Sequence, residues 1–131
     1  MGLPMATNLK KAGFEVKGFD IGEKARKDAS EAGIIVKTSL KECVTDVDFI
    51  ITALPKTEHV AAALNQKDGI FDSANKGTYI CDTSTISPIA SAEFHAEAAK
   101  RNLVFLDTPM SGGITGAHNG TLTFMVGGEA E

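Results

Sequence analysis

The apolar positions of this chain change period several times, and each change marks an element. Met1, Met5, Leu9 and Ala12 recur at helical spacing, and Gly13 follows as a stop. Residues 15–19 form a short strand candidate that closes on Asp20. Ala25, Ala29 and Ala32 line one face of a charged helix ended by Gly33. Residues 34–36 read as a further strand, and Ser39 is placed to cap a brief helix through Cys43. The run Phe-Ile-Ile-Thr-Ala-Leu at residues 49–54 is almost wholly apolar and stops at Pro55. Such a run fits a strand buried on both faces, as in a parallel sheet.

The second half repeats the alternation. Thr57 can cap a helix carrying Val60 and Leu64 on its face. Residues 78–82 predict a strand, and Ser87 followed by Pro88 is a strong helix start. That helix presents Ile89, Ala92, Ala96 and Ala99 along one face. Residues 103–106 form a strand ending at Asp107, a glycine-rich loop covers 108–120, and residues 122–126 form a last strand. Strands alternating with helices at this spacing predict βαβ units and a mostly parallel sheet. The fold class is α/β.

Composition narrows the partners. Thirteen basic against seventeen acidic side chains leave a net charge of −4, which argues against a nucleic-acid surface or a polybasic membrane anchor. No run approaches the roughly 20 apolar residues that a spanning helix needs. Two cysteines, Cys43 and Cys81, cannot build a disulfide framework and read as small core residues. His59, His95 and His118 lack metal-ligand spacing, and His95 reads as a surface residue of its helix.

Ligands of open parallel sheets bind outside the carboxyl ends of the strands. Those ends carry Asp20, Leu54-Pro55, Asp82-Thr83-Ser84-Thr85, and Asp107 through Gly113. Each is an ordinary turn residue taken singly; the recurrence over four strand ends is what points to a site. Asp20 stands about 20 residues after the start of the first helix, where a carboxylate can accept both ribose hydroxyls of an adenosine and repel a 2′-phosphate. A helix-capping or turn aspartate is the plain alternative. In Ser111-Gly112-Gly113, two glycines after a hydroxyl let backbone N–H groups converge beside an O–H donor, a natural seat for a small carboxylate. A mobile glycine loop is the plain alternative there.

Taken together, these residues resemble the β-hydroxyacid dehydrogenases, and among them the branch that oxidises 3-hydroxyisobutyrate. The matching stretches are Met-Gly-Leu-Pro-Met-Ala-Thr-Asn-Leu at 1–9, residues 51–55, Asp-Thr-Ser-Thr-Ile-Ser-Pro at 82–88, residues 107–120, and Leu-Thr-Phe-Met-Val-Gly-Gly at 122–128. The resemblance implies a Rossmann-like, doubly wound domain binding NAD, and hydride transfer with a small 3-hydroxy acid in valine breakdown. It implies cofactor contacts at Met1, Gly2, Asp20, Leu54, Pro55, His59 and Thr85, and a substrate carboxylate at Ser111, Gly112 and Gly113. Asp20 favours NAD over NADP. No metal, nucleic acid or membrane is implied, and the whole enzyme is expected to be a homo-oligomer. Its compartment would be mitochondrial in a eukaryote and cytoplasmic in a bacterium.

The same resemblance makes residues 1–131 an incomplete dinucleotide-binding domain. The family's first strand would precede Met1, whose fingerprint ends at Met1-Gly2. Its catalytic lysine and all-helical domain would follow Glu131, and Lys56 is a solvated loop lysine rather than a substitute. No catalytic residue is therefore expected in this chain, and no turnover. Without a central strand, two rows of backbone groups lose partners, at roughly 1–3 kcal/mol for each group left unsatisfied. The second and fourth family strands would then pair directly, or the region would fold poorly. Two other classes remain open: a related semialdehyde, tartronate or glyoxylate reductase, and a non-catalytic dehydrogenase-like binding module.

Overall fold

In the computed structural model, which describes residues 2–128, helices and strands alternate as the periodicity predicts. The first half runs α1 (Gly2–Lys11), β1 (Lys17–Gly18), α2 (Glu23–Glu31), β2 (Ile35–Val36), α3 (Leu40–Val44) and β3 (Phe49–Thr52). The second half adds α4 (Thr57–Asn65), α5 (Ile70–Ser73), β4 (Tyr79–Asp82), α6 (Pro88–Lys100) and β5 (Val104–Asp107). It closes with β6 (Met110–Ser111), α7 (Gly113–Asn119) and β7 (Thr123–Phe124). The expected glycine-rich loop is thus a short strand and a helix. Gly112 and Gly120 stand at the two ends of that helix, and Gly116 is buried within it beside Leu122.

Caps set several boundaries. The Ser39 side chain accepts a hydrogen bond from Glu42 N at the start of α3, and Ser87 accepts one from Ala90 N with Pro88 in the first turn of α6. The predicted cap at Thr57 is displaced by one residue: Lys56 is the N-cap of α4. Gly120 ends α7 at φ +70°, a left-handed conformation that costs glycine little.

β3, β4 and β5 form a parallel ladder in register from Phe49↔Tyr79↔Val104 to Thr52↔Asp82↔Asp107. β1 and β2 form a separate parallel pair, and β6 and β7 an antiparallel one. Among the described residues β1 and β3 are not paired with each other, so the expected closing of the sheet across its centre does not occur. Both parallel ladders form all the same.

The core lies on one face of the three-stranded ladder. Ile50, Ile80 and Phe105 project into a cluster with Val60 and Leu64 of α4, Ile70 and Phe71 of α5, and Phe94 and Ala98 of α6. Each large side chain so buried contributes about 1.5–3 kcal/mol. Phe94 meets Phe105 edge-on, with ring centroids 5.8 Å apart.

Four expectations are corrected here. β3 is not buried on both faces, because Phe49 and Ile51 are exposed while Ile50 and Thr52 are buried. Phe49 stacks on Tyr79 at 5.4 Å on that open face. On α6 the buried face is Phe94 and Ala98, not the line of Ile89, Ala92, Ala96 and Ala99, and Ile89 is 75% exposed. One phenylalanine outweighs several alanines when a helix chooses a face, because the area removed from water sets the gain. His95, expected at the surface, is half-buried with Nδ1 3.2 Å from the Phe105 carbonyl oxygen. The alanines of α2 likewise supply no buried residue. Both cysteines are half-buried, and burial pushes each thiol above its ordinary pKa.

Candidate cofactor and substrate site

The three parallel strands end level, and hydroxyl side chains tie the ends together. The carbonyl oxygen of Thr52 accepts from Thr83 twice, from N at 2.8 Å and from Oγ1 at 2.7 Å. One strand further on, the carbonyl oxygen of Asp82 accepts from Thr108 N at 2.8 Å and Oγ1 at 3.0 Å. The threonine after β4 and the threonine after β5 thereby each grip the last carbonyl of the neighbouring strand.

Asp82 occupies the middle of this arrangement and is fully buried. Its Oδ1 accepts from Thr52 Oγ1 at 2.8 Å and from Ser84 N at 3.1 Å. Ser84 Oγ in turn accepts from Leu54 N at 2.8 Å, and Thr57 Oγ1 accepts from Ser87 N at 3.1 Å. The loop after β3 is therefore fastened to the loop after β4 at two points. Asp82 Oδ2 has no hydrogen-bond partner among the described residues. Burial and the nearby Asp82 charge together hold the Asp107 carboxyl above the usual carboxylate range.

Other predicted residues reach the same edge. Gly2 opens α1 beside the end of β3: a Cβ placed on it would lie 3.9 Å from Ala53 Cβ. Leu54 is half-buried, and Pro55, His59 and Thr85 are exposed. His59 lies in the first turn of α4, its N–H donating to Lys56 O at 3.1 Å. Met1 lies outside the described residues.

Ser111 ends β6 opposite Thr123, and Gly112 and Gly113 follow with φ of +132° and +63°. A Cβ on Gly112 would come 3.2 Å from Leu122 Cδ2, so both conformation and space call for glycine. Asn8 of α1 donates from Nδ2 to the Ala117 oxygen at 2.5 Å and the His118 oxygen at 3.4 Å, which docks α1 against the C-terminal turn of α7. Leu54 is thus bonded to Ser84 with Gly2 beside the end of β3, while α1 is bonded through Asn8 to α7, the helix that follows Ser111 and Gly112.

Asp20 follows β1, in the two-stranded ladder. Its Oδ1 accepts from Gly22 N at 2.7 Å, and Arg26 Nη1 donates to its carbonyl oxygen at 2.6 Å. The turn reading of Asp20 and the ribose reading are thus compatible, since a carboxylate has a second oxygen. Phe19 and Ile21, its neighbours, line an open depression of ≈ 400 Å³ with Arg26, Val36, Lys37 and Thr38. Its walls combine the apolar side chains of Phe19, Ile21 and Val36 with the cations Arg26 and Lys37 and the Thr38 hydroxyl.

The residues that sequence reasoning passed over as individuals are Thr52, Asp82, Ser84 and Asn8. Asp82 and Ser84 stand in the strand-end set of the sequence, and Thr52 and Asn8 only within longer matching stretches, with no spacing signal that pairs any of the four. Among the described residues no three His, Cys, Asp or Glu side chains are grouped to hold a metal. No described helix is long and apolar enough to cross a membrane.

A parallel α/β ladder with a dinucleotide-type strand end defines the class, and comparison with known proteins supplies the family. The chain belongs to the family described as the NAD binding domain of 6-phosphogluconate dehydrogenase, whose model matches residues 1–131. It is 43% identical over its full length to an NAD-dependent L-serine dehydrogenase of Pseudomonas aeruginosa, covering 44% of that protein. It is 40% identical over its full length to the mitochondrial 3-hydroxyisobutyrate dehydrogenase of Bos taurus, covering 39% of it. A structure of 3-hydroxyisobutyrate dehydrogenase from Mycobacterium tuberculosis with L-serine matches with a TM-score of 0.93 at 40% identity, over 98% of this chain and 43% of that one. The chain spans less than half the length of the curated relatives it matches. The Rossmann-like fold and the NAD-binding family expected from the sequence are both met.

Proposed function

We propose that this chain is the dinucleotide-binding part of an NAD-dependent β-hydroxyacid dehydrogenase that oxidises 3-hydroxyisobutyrate to its semialdehyde, a step of valine breakdown. The observation that carries this reading is the tied set of strand ends, with Leu54 bonded to Ser84, Gly2 beside the end of β3, and α1 bonded to the helix that follows Ser111 and Gly112. Asp20 would take the ribose diol and reject a 2′-phosphate, so NAD is preferred. Leu54, Pro55, His59 and Thr85, with Met1 and Gly2, would line the path from the pyrophosphate to the nicotinamide.

When bound, the nicotinamide supplies hydride chemistry; this chain's own part is to hold and orient. Ser111, Gly112 and Gly113 would anchor the substrate carboxylate and so fix the distance from its hydroxyl-bearing carbon to the cofactor. We assign the role of proton acceptor to no residue of this chain, and we expect this chain alone to be inactive. The whole enzyme, with a helical domain and a lysine base, would be a homo-oligomer, mitochondrial or cytoplasmic according to its source.

L-Serine is a second reading, favoured by the names of two relatives. It shares the carboxylate and the hydroxymethyl group, with an ammonium in place of a methyl. The test has two parts. NADH is titrated into the 131-residue chain, and the full-length enzyme is assayed with NAD and NADP on 3-hydroxyisobutyrate, L-serine and related hydroxy acids. Saturable NADH binding by the chain and preferred oxidation of 3-hydroxyisobutyrate with NAD are expected. Preference for L-serine would replace the substrate, and NADP preference would remove the role given to Asp20.

A further inference from the structure

We propose that Asp82 is a positioning residue for the cofactor, acting through Ser84 on the loop that follows β3. The inference rests on the cofactor reading above and adds to it residues that touch no ligand in that reading.

The geometry is a relay of two hydrogen bonds. Asp82 Oδ1 accepts from Ser84 N at 3.1 Å, and Ser84 Oγ accepts from Leu54 N at 2.8 Å. Asp82 and Ser84 are both buried, so the bond between them is shielded from water and the Ser84–Leu54 bond partly so. Leu54 N is the first backbone donor of the cofactor loop whose partner lies on another strand's loop. With Ser84 Oγ gone, it has to find water or shift. A side-chain oxygen is needed at this position because that single atom accepts both Thr52 Oγ1 and Ser84 N, which ties the end of β3 to the Ser84 turn. Core packing does not explain a buried carboxylate here, since an apolar residue of similar volume avoids the desolvation cost. Fixing a loop at a ligand edge does explain it.

Two further bonds make the fastening local. Thr83 is gripped by the Thr52 carbonyl, and Ser87 N donates to Thr57 Oγ1, so Ala53 to Lys56 is bracketed between fixed points. Losing the Ser84 hydroxyl frees the middle of that bracket while its ends stay held. The effect therefore falls on the ligand end served by Leu54 and Pro55 and spares the Asp20 end, which belongs to the other ladder.

The experiment compares wild type, Ser84→Ala, Asp82→Ala and Asp82→Asn. Asn keeps an oxygen that can accept both bonds. NADH and AMP affinities are measured by titration, with thermal unfolding and amide exchange of Leu54 N–H as controls on the fold and on the relay. One hydrogen bond's worth of preorganisation corresponds to a roughly three- to tenfold weakening of NADH binding in Ser84→Ala. We expect that loss with faster exchange at Leu54, AMP affinity unchanged, and Asp82→Asn close to wild type. Should Asp82→Ala fail to fold, the Ser84→Ala and Asp82→Asn pair carries the comparison. Unchanged NADH affinity in Ser84→Ala overturns the proposal while leaving the cofactor reading intact. Equal loss of NADH and AMP overturns it too, in favour of a general structural role. Absence of NADH binding by the wild-type chain overturns the cofactor reading, and the positioning role with it.

Discussion

Asp82 and Asp107 are register partners at the ends of β4 and β5, two carboxyls side by side on adjacent parallel strands. The pairing has a cost that the structure accepts. Burial raises the Asp107 pKa above its ordinary value, and the Asp82 charge raises it further. A carboxyl whose pKa is higher in the folded state binds its proton more tightly there than in the unfolded chain. Its contribution is greatest at low pH and is lost as pH rises from the ordinary carboxylate value through the raised one. Asp107→Asn is therefore expected to flatten that acidic stretch of the stability curve, and Asp82→Asn to lower the Asp107 pKa toward its ordinary value. Urea denaturation across mildly acidic pH and carboxyl NMR titration check the two outcomes.

The corrected face of α6 gives a stability prediction. Phe94→Ala opens a cavity against Phe105 and is expected to cost about 3–5 kcal/mol. That is a large part of the roughly 5–15 kcal/mol typical of a domain. Ile89→Lys, on the exposed side, should stay within about 0.5 kcal/mol. Chemical denaturation midpoints separate the two. Equal losses would mean that the face is wrongly assigned.

What the sequence made legible divides along the same line. Strongly apolar runs such as residues 49–52 and paired signals such as Ser87-Pro88 placed strands and caps within a residue or two. The burying face of α6 was not legible from alanine spacing, because an alanine is nearly neutral between water and core. Residues 113–119 read as loop because glycine lowers helix propensity, yet docking by Asn8 and a Gly120 terminus hold a helix there. The Asp82 relay was hidden for a different reason. Asp, Ser and Thr past a strand look like turn residues, and only the parallel register turns them into cross-strand partners.

Cofactor choice is expected to follow Asp20. At contact distance in water a like-charge pair costs about 1 kcal/mol. Asp20→Asn should then raise the NADPH-to-NADH affinity ratio roughly fivefold. Asparagine can still accept from Gly22 N, so the turn is retained and thermal stability should hardly change. Fluorescence titration with both reduced cofactors checks the ratio.

The docking of α1 on α7 predicts a link between the two proposed half-sites. Asn8→Ala removes the donor to the Ala117 and His118 carbonyls, at an expected cost of about 1 kcal/mol. The loss should appear as faster amide exchange across residues 113–119, with β3 to β5 unaffected.

The threonine grips also bear on how the chain tolerates changes of length. Thr83 and Thr108 lock onto the strand before them within one residue of the strand end. A single deletion or insertion between Asp82 and Ser84 would misalign several of these bonds at once and turn the following side chains to the wrong side. The strand ends thus act as a fixed datum line from which the following loops are measured.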